Sequence, residues 1–231
     1  MDRVSLTYFV DFVMKSGTPK LSIVRDFKER DKYEPFTDFY KNVRGSIIEA
    51  HKDPSPKKSL DRFLASVQEE KRRKVYPAIV KGYKSFLGRK SVSWFQPPTT
   101  AWKIGSLDLN VNPEIGLIID DVPHILKLYF KEGRLASNRV ASIVHLMTVA
   151  LTPIVPGSVC GLLDVRRSKL HVLRAPKPGL NALLEGEAAA FFAMASNLES
   201  SMKAETSPAA EPANVIDIPT PPRPADLRAL A

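Results

Sequence analysis

Over the first ninety positions, apolar residues recur at helical spacing. In "SLTYFVDFVMKSG", Leu6, Phe9, Val10 and Val13 share one face, and Gly17 closes the segment. "PFTDFYKNVRGSIIEAHKD" repeats the pattern with Phe36, Phe39, Tyr40, Val43 and Ile47. Asp53-Pro54-Ser55-Pro56 then breaks the chain. Ser59 is placed to cap a long helix beginning "LDRFLASVQEEKRRKVYPAIVKGYKSFLG". Pro77 is expected to kink or split it, because proline lacks the amide hydrogen and crowds the preceding turn.

After Lys90 the period shortens to two. "SVSWFQ" reads as a strand. "TAWKIGSLDLNVN" reads as another, with Trp102, Ile104, Ser106 and Asp108 on one side and Lys103, Leu107 and Leu109 on the other. "EIGLIID" and "PHILKLYFK" follow. "GRLASNRVASIVHLMTVALT" returns to helical spacing, with Leu135, Val140, Ile143, Val144, Met147 and Leu151 facing inward. "VCGLLDVRR" and "KLHVLR" predict two more strands, and "ALLEGEAAAFFAMASNLESSMK" a last helix.

These elements predict an α+β protein: an N-terminal helical region over 1–56, an α+β core over 57–198 with a mixed or antiparallel sheet, and a tail over 199–231. The tail is rich in Ala, Pro, Glu and Ser, a composition that predicts disorder. Within it "VIDIPTPPRP" has the spacing of a polyproline ligand, although a plain flexible tail has the same composition.

Taking Asp120-Asp121 as a two-residue turn sets a hairpin register. Ile119 then faces Val122, Ile118 faces Pro123, Gly116 faces Ile125, and Glu114 faces Lys127 on a shared side. Two-residue turns prefer Asn-Gly or Asp-Gly, so Asp-Asp is an unusual choice.

Charge narrows the class. With 34 basic and 25 acidic residues the chain carries +9, and its pI is near 9.6. Such an excess favours polyanionic partners. Candidate phosphate contacts are Lys71, Arg72, Arg73 and Lys74 on a helix, and Arg166, Arg167 and Lys169 at a hairpin tip. Either group also reads as an ordinary solvated face. Trp94 and Phe95 read as core packing in preference to base stacking. Cys160, the sole cysteine, sits in an apolar run and reads as a buried thiol. With no basic, uninterrupted apolar leader and no disulfide partner, the expected compartment is the cytoplasm, with no membrane span. The four histidines lack ligand spacing, and no P-loop, dinucleotide fingerprint or nucleophile elbow occurs.

The order helix, three strands, helix, strand, with "NPE" before one strand and Lys127 in the next, resembles the core of the PD-(D/E)XK, restriction-endonuclease-like nucleases over about residues 60–170. The resemblance implies that Glu114 binds a Mg2+ or Mn2+ ion and that Lys127 assists the attacking water. The sequence departs from the pattern at Ile125, where the family carries an acid. Asp108, Asp120 and Asp164 are then the candidates for a second metal-binding carboxylate. The resemblance implies a nucleic-acid-associated protein, acting on DNA or RNA, with catalysis impaired. The competing class is a protein-interaction or assembly module contacting a partner through its helices or tail.

Overall fold

The structure is a computed structural model that describes residues 3–29, 38–173 and 178–206. It is a mixed α+β fold. The chain runs β1 (Val4–Ser5), α1 (Leu6–Met14), α2 (Thr18–Lys28), α3 (Lys41–Ala50), α4 (Pro56–Ser66), α5 (Glu70–Leu87), then β2 (Val92–Phe95), β3 (Thr100–Ile104) and β4 (Leu107–Val111). It continues through β5 (Ile115–Ile119), β6 (Val122–Tyr129), α6 (Ser137–Leu151), β7 (Val159–Asp164), β8 (Lys169–Val172) and α7 (Leu180–Thr206).

Five strands form the main sheet in the order β2-β5-β6-β7-β8. β2, β5 and β6 are antiparallel neighbours, β6 and β7 run parallel, and β8 returns antiparallel. The right of β6 to the centre is written in its composition: every residue from Ile125 to Tyr129 is buried. That is the apolar run expected of a strand covered on both faces, interrupted only by Lys127.

Each face of this sheet has its own core. On one side Ile125, Tyr129, Cys160 and Leu162 pack with α1, α2, α6 and α7. On the other, Leu117, Leu126, Leu128 and Leu163 pack with α3, α4 and α5. Among the described residues, no helix is long and apolar enough to cross a membrane.

Four details depart from the sequence expectation. First, "TAWKIGSLDLNVN" is not one strand but a hairpin, β3–β4, reversing at Gly105-Ser106 with Gly105 at φ 55°. The reversal puts Ile104 opposite Leu107 and Trp102 opposite Leu109, so both apolar sets fall on one face. With β1, which runs parallel to β4, the hairpin makes a separate three-stranded sheet.

Second, the long helix is split at Val67, whose backbone is extended, and α5 passes unbroken through Pro77. Pro77 is exposed. The carbonyl it leaves without an amide partner belongs to Arg73, also exposed, and on the wet side of a helix such a group can be satisfied by solvent. Ser59 lies inside α4, and Pro56 takes the first turn instead.

Third, the segment after Gly17 is a helix of its own, α2, with Val24 and Phe27 buried. Fourth, α7 continues to Thr206, into the predicted tail, through residues with good helix propensity such as Met202, Lys203 and Ala204. Phe36, the rest of the tail and its polyproline-like stretch lie outside the described residues.

Candidate functional site

The β5–β6 register matches the one set by the Asp120-Asp121 turn, from Ile119 opposite Val122 through Gly116 opposite Ile125. Both aspartates adopt left-handed backbone, at φ 50° and 66°. That is the geometry of a type I′ turn, whose twist suits a hairpin. With this register Glu114 arrives opposite Lys127, on the face that carries Ile125 and Tyr129.

Glu114 and Lys127 form a buried ion pair, Oε1 receiving a hydrogen bond from Nζ. Their side chains are only 10% and 3% exposed. Glu114 Oε2 accepts the backbone N–H of Leu128 at 2.8 Å. Lys127 Nζ also donates to Thr7 Oγ1 on α1 at 2.7 Å. One turn further along α1, Asp11 pairs with Lys131 at 2.7 Å. α1 is therefore laid across the end of β6 by two polar rungs. Its start is fixed by Asn112, whose Oδ1 accepts the Leu6 N–H at 3.3 Å, and by Ser5, whose hydroxyl accepts from the Tyr8 N–H.

Between the rungs stands Tyr129. Burial pushes its phenol up to about 12, helped by the Asp11 and Asp164 carboxylates, so it remains a neutral hydroxyl at ordinary pH.

These groups floor a cleft of about 750 Å3 between α1, α2, α3 and the ends of β5 and β6. Its walls include Tyr40 and Phe130, stacked with ring centroids 5.5 Å apart. The charged lining is four acids (Asp11, Asp26, Asp38, Glu114) and three bases (Arg44, Lys127, Lys131). Six of the seven are joined in pairs, the third pair being Asp38 with Arg44 at 2.8 Å. Such a lining offers no excess positive charge to a phosphate backbone.

The further carboxylates proposed from sequence do not gather around Glu114. Asp108 is on the other sheet, opposite Lys103, with its side chain exposed. Asp120 is at the far end of β5, about 20 Å from Glu114 at strand rise. Asp164 is the nearest in topology, on the same sheet face beside Tyr129. It lies two strand spacings from Glu114, about 10 Å, and two residues further along. Its oxygens are taken by the Arg167 guanidinium at 3.0 Å and by the Arg167 N–H at 3.3 Å.

Among the described residues no three His, Cys, Asp or Glu side chains come close enough to hold a metal. A magnesium or manganese ion needs about six oxygen ligands. One carboxylate whose two oxygens already have donors does not fit it. What the arrangement can do is hold an ammonium and a carboxylate at fixed positions on the cleft floor.

The basic candidates divide. Arg166 is tied to the Phe130 carbonyl at 2.6 Å and to Glu132 at 3.3 Å, and Arg167 to Asp164 and the Glu132 carbonyl. The expected hairpin tip is a 3-10 turn, Val165–Arg167, that folds both arginines onto the end of β6. Lys169 is exposed. On α5, Arg72 pairs with Glu69 at 2.9 Å and Lys74 with Glu70 at 2.6 Å, while Lys71 and Arg73 are exposed. Trp94 and Phe95 are half-buried against the two cores.

The histidines stand apart, His51 on Tyr83 and His145 on Asn181. Thr7, Asp11, Tyr129 and Lys131 did not emerge from the sequence. Thr7 and Asp11 do share an i, i+4 face, but nothing local says that this face meets β6.

Comparison with protein-family models, with curated proteins and with solved structures gives no match to this chain.

Proposed function

We propose that this is a nucleic-acid-associated protein with a restriction-endonuclease-like core whose chemical pair is retained without its metal site. The observation that carries the reading is the Glu114–Lys127 pair at the open end of the β5–β6 hairpin, on a strand flanked by the parallel β7. The order α5, β2, β5, β6, α6, β7 supports it, with the β3–β4 hairpin as an insertion. Impairment follows from the chemistry of the pair. The ammonium is committed to Glu114 and Thr7, and among the described residues no second carboxylate stands where a bridging cation would need one.

The test is a binding and cleavage assay on the full chain with DNA and RNA, at low salt, with magnesium and with manganese. The expected result is binding that weakens steeply as salt rises, because bound lysines and arginines release counterions from the phosphates. No cleavage is expected. Absence of binding at low salt removes the nucleic-acid reading and leaves the interaction module. Metal-dependent cleavage lost in Glu114→Ala would show that the site assembles a metal after all.

A further inference from the structure

We infer that the exposed side of α5, with the start of α4 beside its end, is the track that a nucleic-acid backbone follows. This rests on the nucleic-acid reading above and says where on the molecule the contact is made. Residues 51–90 contain twelve Lys and Arg against four Asp and Glu, an excess of eight. The whole chain carries nine. Nearly all of the net charge therefore belongs to α4, α5 and their flanks, away from the cleft, whose lining has four acids to three bases.

The four acids of this segment are each already engaged. Asp53 holds Arg62, Asp61 holds Lys84, Glu69 holds Arg72 and Glu70 holds Lys74. Lys58, Lys71, Arg73, Lys81 and Arg89 are exposed, and none has an ion pair among the described residues. These five cations belong to the segment's surplus over its own carboxylates.

The placement is linear. Lys71, Lys74, Ala78, Lys81 and Ser85 are exposed and follow one another at steps of three and four, which puts them on one stripe of α5. Ala78 and Ser85 keep the stripe low between the lysines. An 18-residue helix such as α5 is about 27 Å long, the span of roughly eight phosphates of one duplex strand. At its end Lys57 Nζ donates to the Gly88 carbonyl at 2.5 Å, which joins the start of α4 to the end of α5. Lys57, Lys58 and Lys90 there line a recess of about 340 Å3. The turn after β5 closes this end, Asp120 donating its N–H to the Ser91 carbonyl at 3.2 Å.

A membrane surface fits less well. Helices that lie in a lipid interface bury an apolar face beside their basic one. Among the described residues, the large exposed hydrophobics are Ile118, Val122, Ile154, Val172 and Leu183, none of them on α4 or α5.

The experiment uses the full chain and fluorescence anisotropy with a labelled DNA duplex and an RNA of the same sequence, across a salt series. A strip variant (Lys58→Gln, Lys81→Gln, Arg89→Gln) is compared with a charge-matched control (Lys15→Gln, Lys103→Gln, Arg134→Gln) changed at exposed sites elsewhere. Circular dichroism verifies that both fold. The strip variant is expected to bind about tenfold or more weakly at low salt, with a log K against log salt slope shallower by about 2.7 on duplex DNA. The control is expected to change by less than about threefold. Equal losses in the two variants would overturn the track while leaving the nucleic-acid reading standing. Absence of binding by the unaltered chain would overturn both. Vesicles of anionic lipid bound by the unaltered chain and released by the strip variant, with nucleic-acid affinity unmoved, would reassign the face to a membrane.

Discussion

Glu114 holds β6 with both of its oxygens, taking the Lys127 ammonium on one and the Leu128 N–H on the other. The pair closes the open end of the hairpin as surely as Asp120-Asp121 closes the other. It also makes each partner depend on the other. Lys127→Ala leaves a carboxylate buried with half its donors gone and is expected to cost about 3–5 kcal/mol. The double change Glu114→Gln, Lys127→Met removes both charges and keeps volume, and most of that loss is expected to be recovered. Urea unfolding of the two variants against the unaltered chain measures this. Equal losses would mean that the pair is worth no more than its packing.

The turn opposite is a place where the fold carries strain. Asp120 and Asp121 both sit in left-handed backbone, which is unfavourable for residues with a Cβ and free for glycine. Asp121→Gly is expected to stabilise the protein by about 0.5–1 kcal/mol, the relief of left-handed backbone less glycine's greater loss of freedom on folding, and Asp-Gly is a preferred pair for this turn. A thermal melt should show the rise. A fall would point to a contact of the Asp121 side chain that outweighs the backbone term.

His51 makes acid stability readable. Burial holds its imidazole down to about 4, with the ring 2.6 Å from the Tyr83 hydroxyl. Above the ordinary histidine range both folded and unfolded forms are neutral there, and the group contributes no pH dependence. Between about 6.5 and 4 the unfolded chain binds the proton and the folded one resists it, so stability falls as pH drops through that window. His51→Gln is expected to flatten this part of the profile, read as Tm against pH. An unchanged slope would place the acid sensitivity elsewhere.

Gly82 is where α5 meets the arginine turn. A Cβ at this position would lie 2.1 Å from the Val165 carbonyl oxygen. Ser168 ties the same spot by donating its hydroxyl to the Gly82 carbonyl at 2.7 Å. Gly82→Ala is expected to push α5 off the Val165–Arg167 turn and cost about 1–3 kcal/mol, by analogy with overpacked cores. The midpoint of urea unfolding should fall with little change in slope.

The hairpin register was legible because two apolar runs flank two adjacent aspartates, and parity then fixed Glu114 against Lys127. Other parts were hidden for stated reasons. Trp102 and Ile104 have one parity, Leu107 and Leu109 the other, and all four are apolar. A single half-buried strand does not do that, so the signal for a turn at Gly105-Ser106 was present and outweighed by the length of the run. The break at Val67 has no Gly or Pro to mark it. Pro77, the obvious breaker, is tolerated because its side of α5 is wet. The pairing of Thr7 with Lys127 spans 120 positions, and only packing brings it about.

The parallel pairing of Val4 with Leu109, and the Lys20–Glu187 contact of α2 with α7, set an order of events during synthesis. When the first helices leave the ribosome, their partners are more than a hundred and more than a hundred and fifty codons from being translated. The α3–α5 side of the sheet can gather around β2, β5 and β6 from nearer neighbours, whereas Phe9, Phe12 and Phe27 must wait for α7. Residues 4–28 are thus made long before the elements they seat against, and their apolar face has its full cover only once α7 is in place.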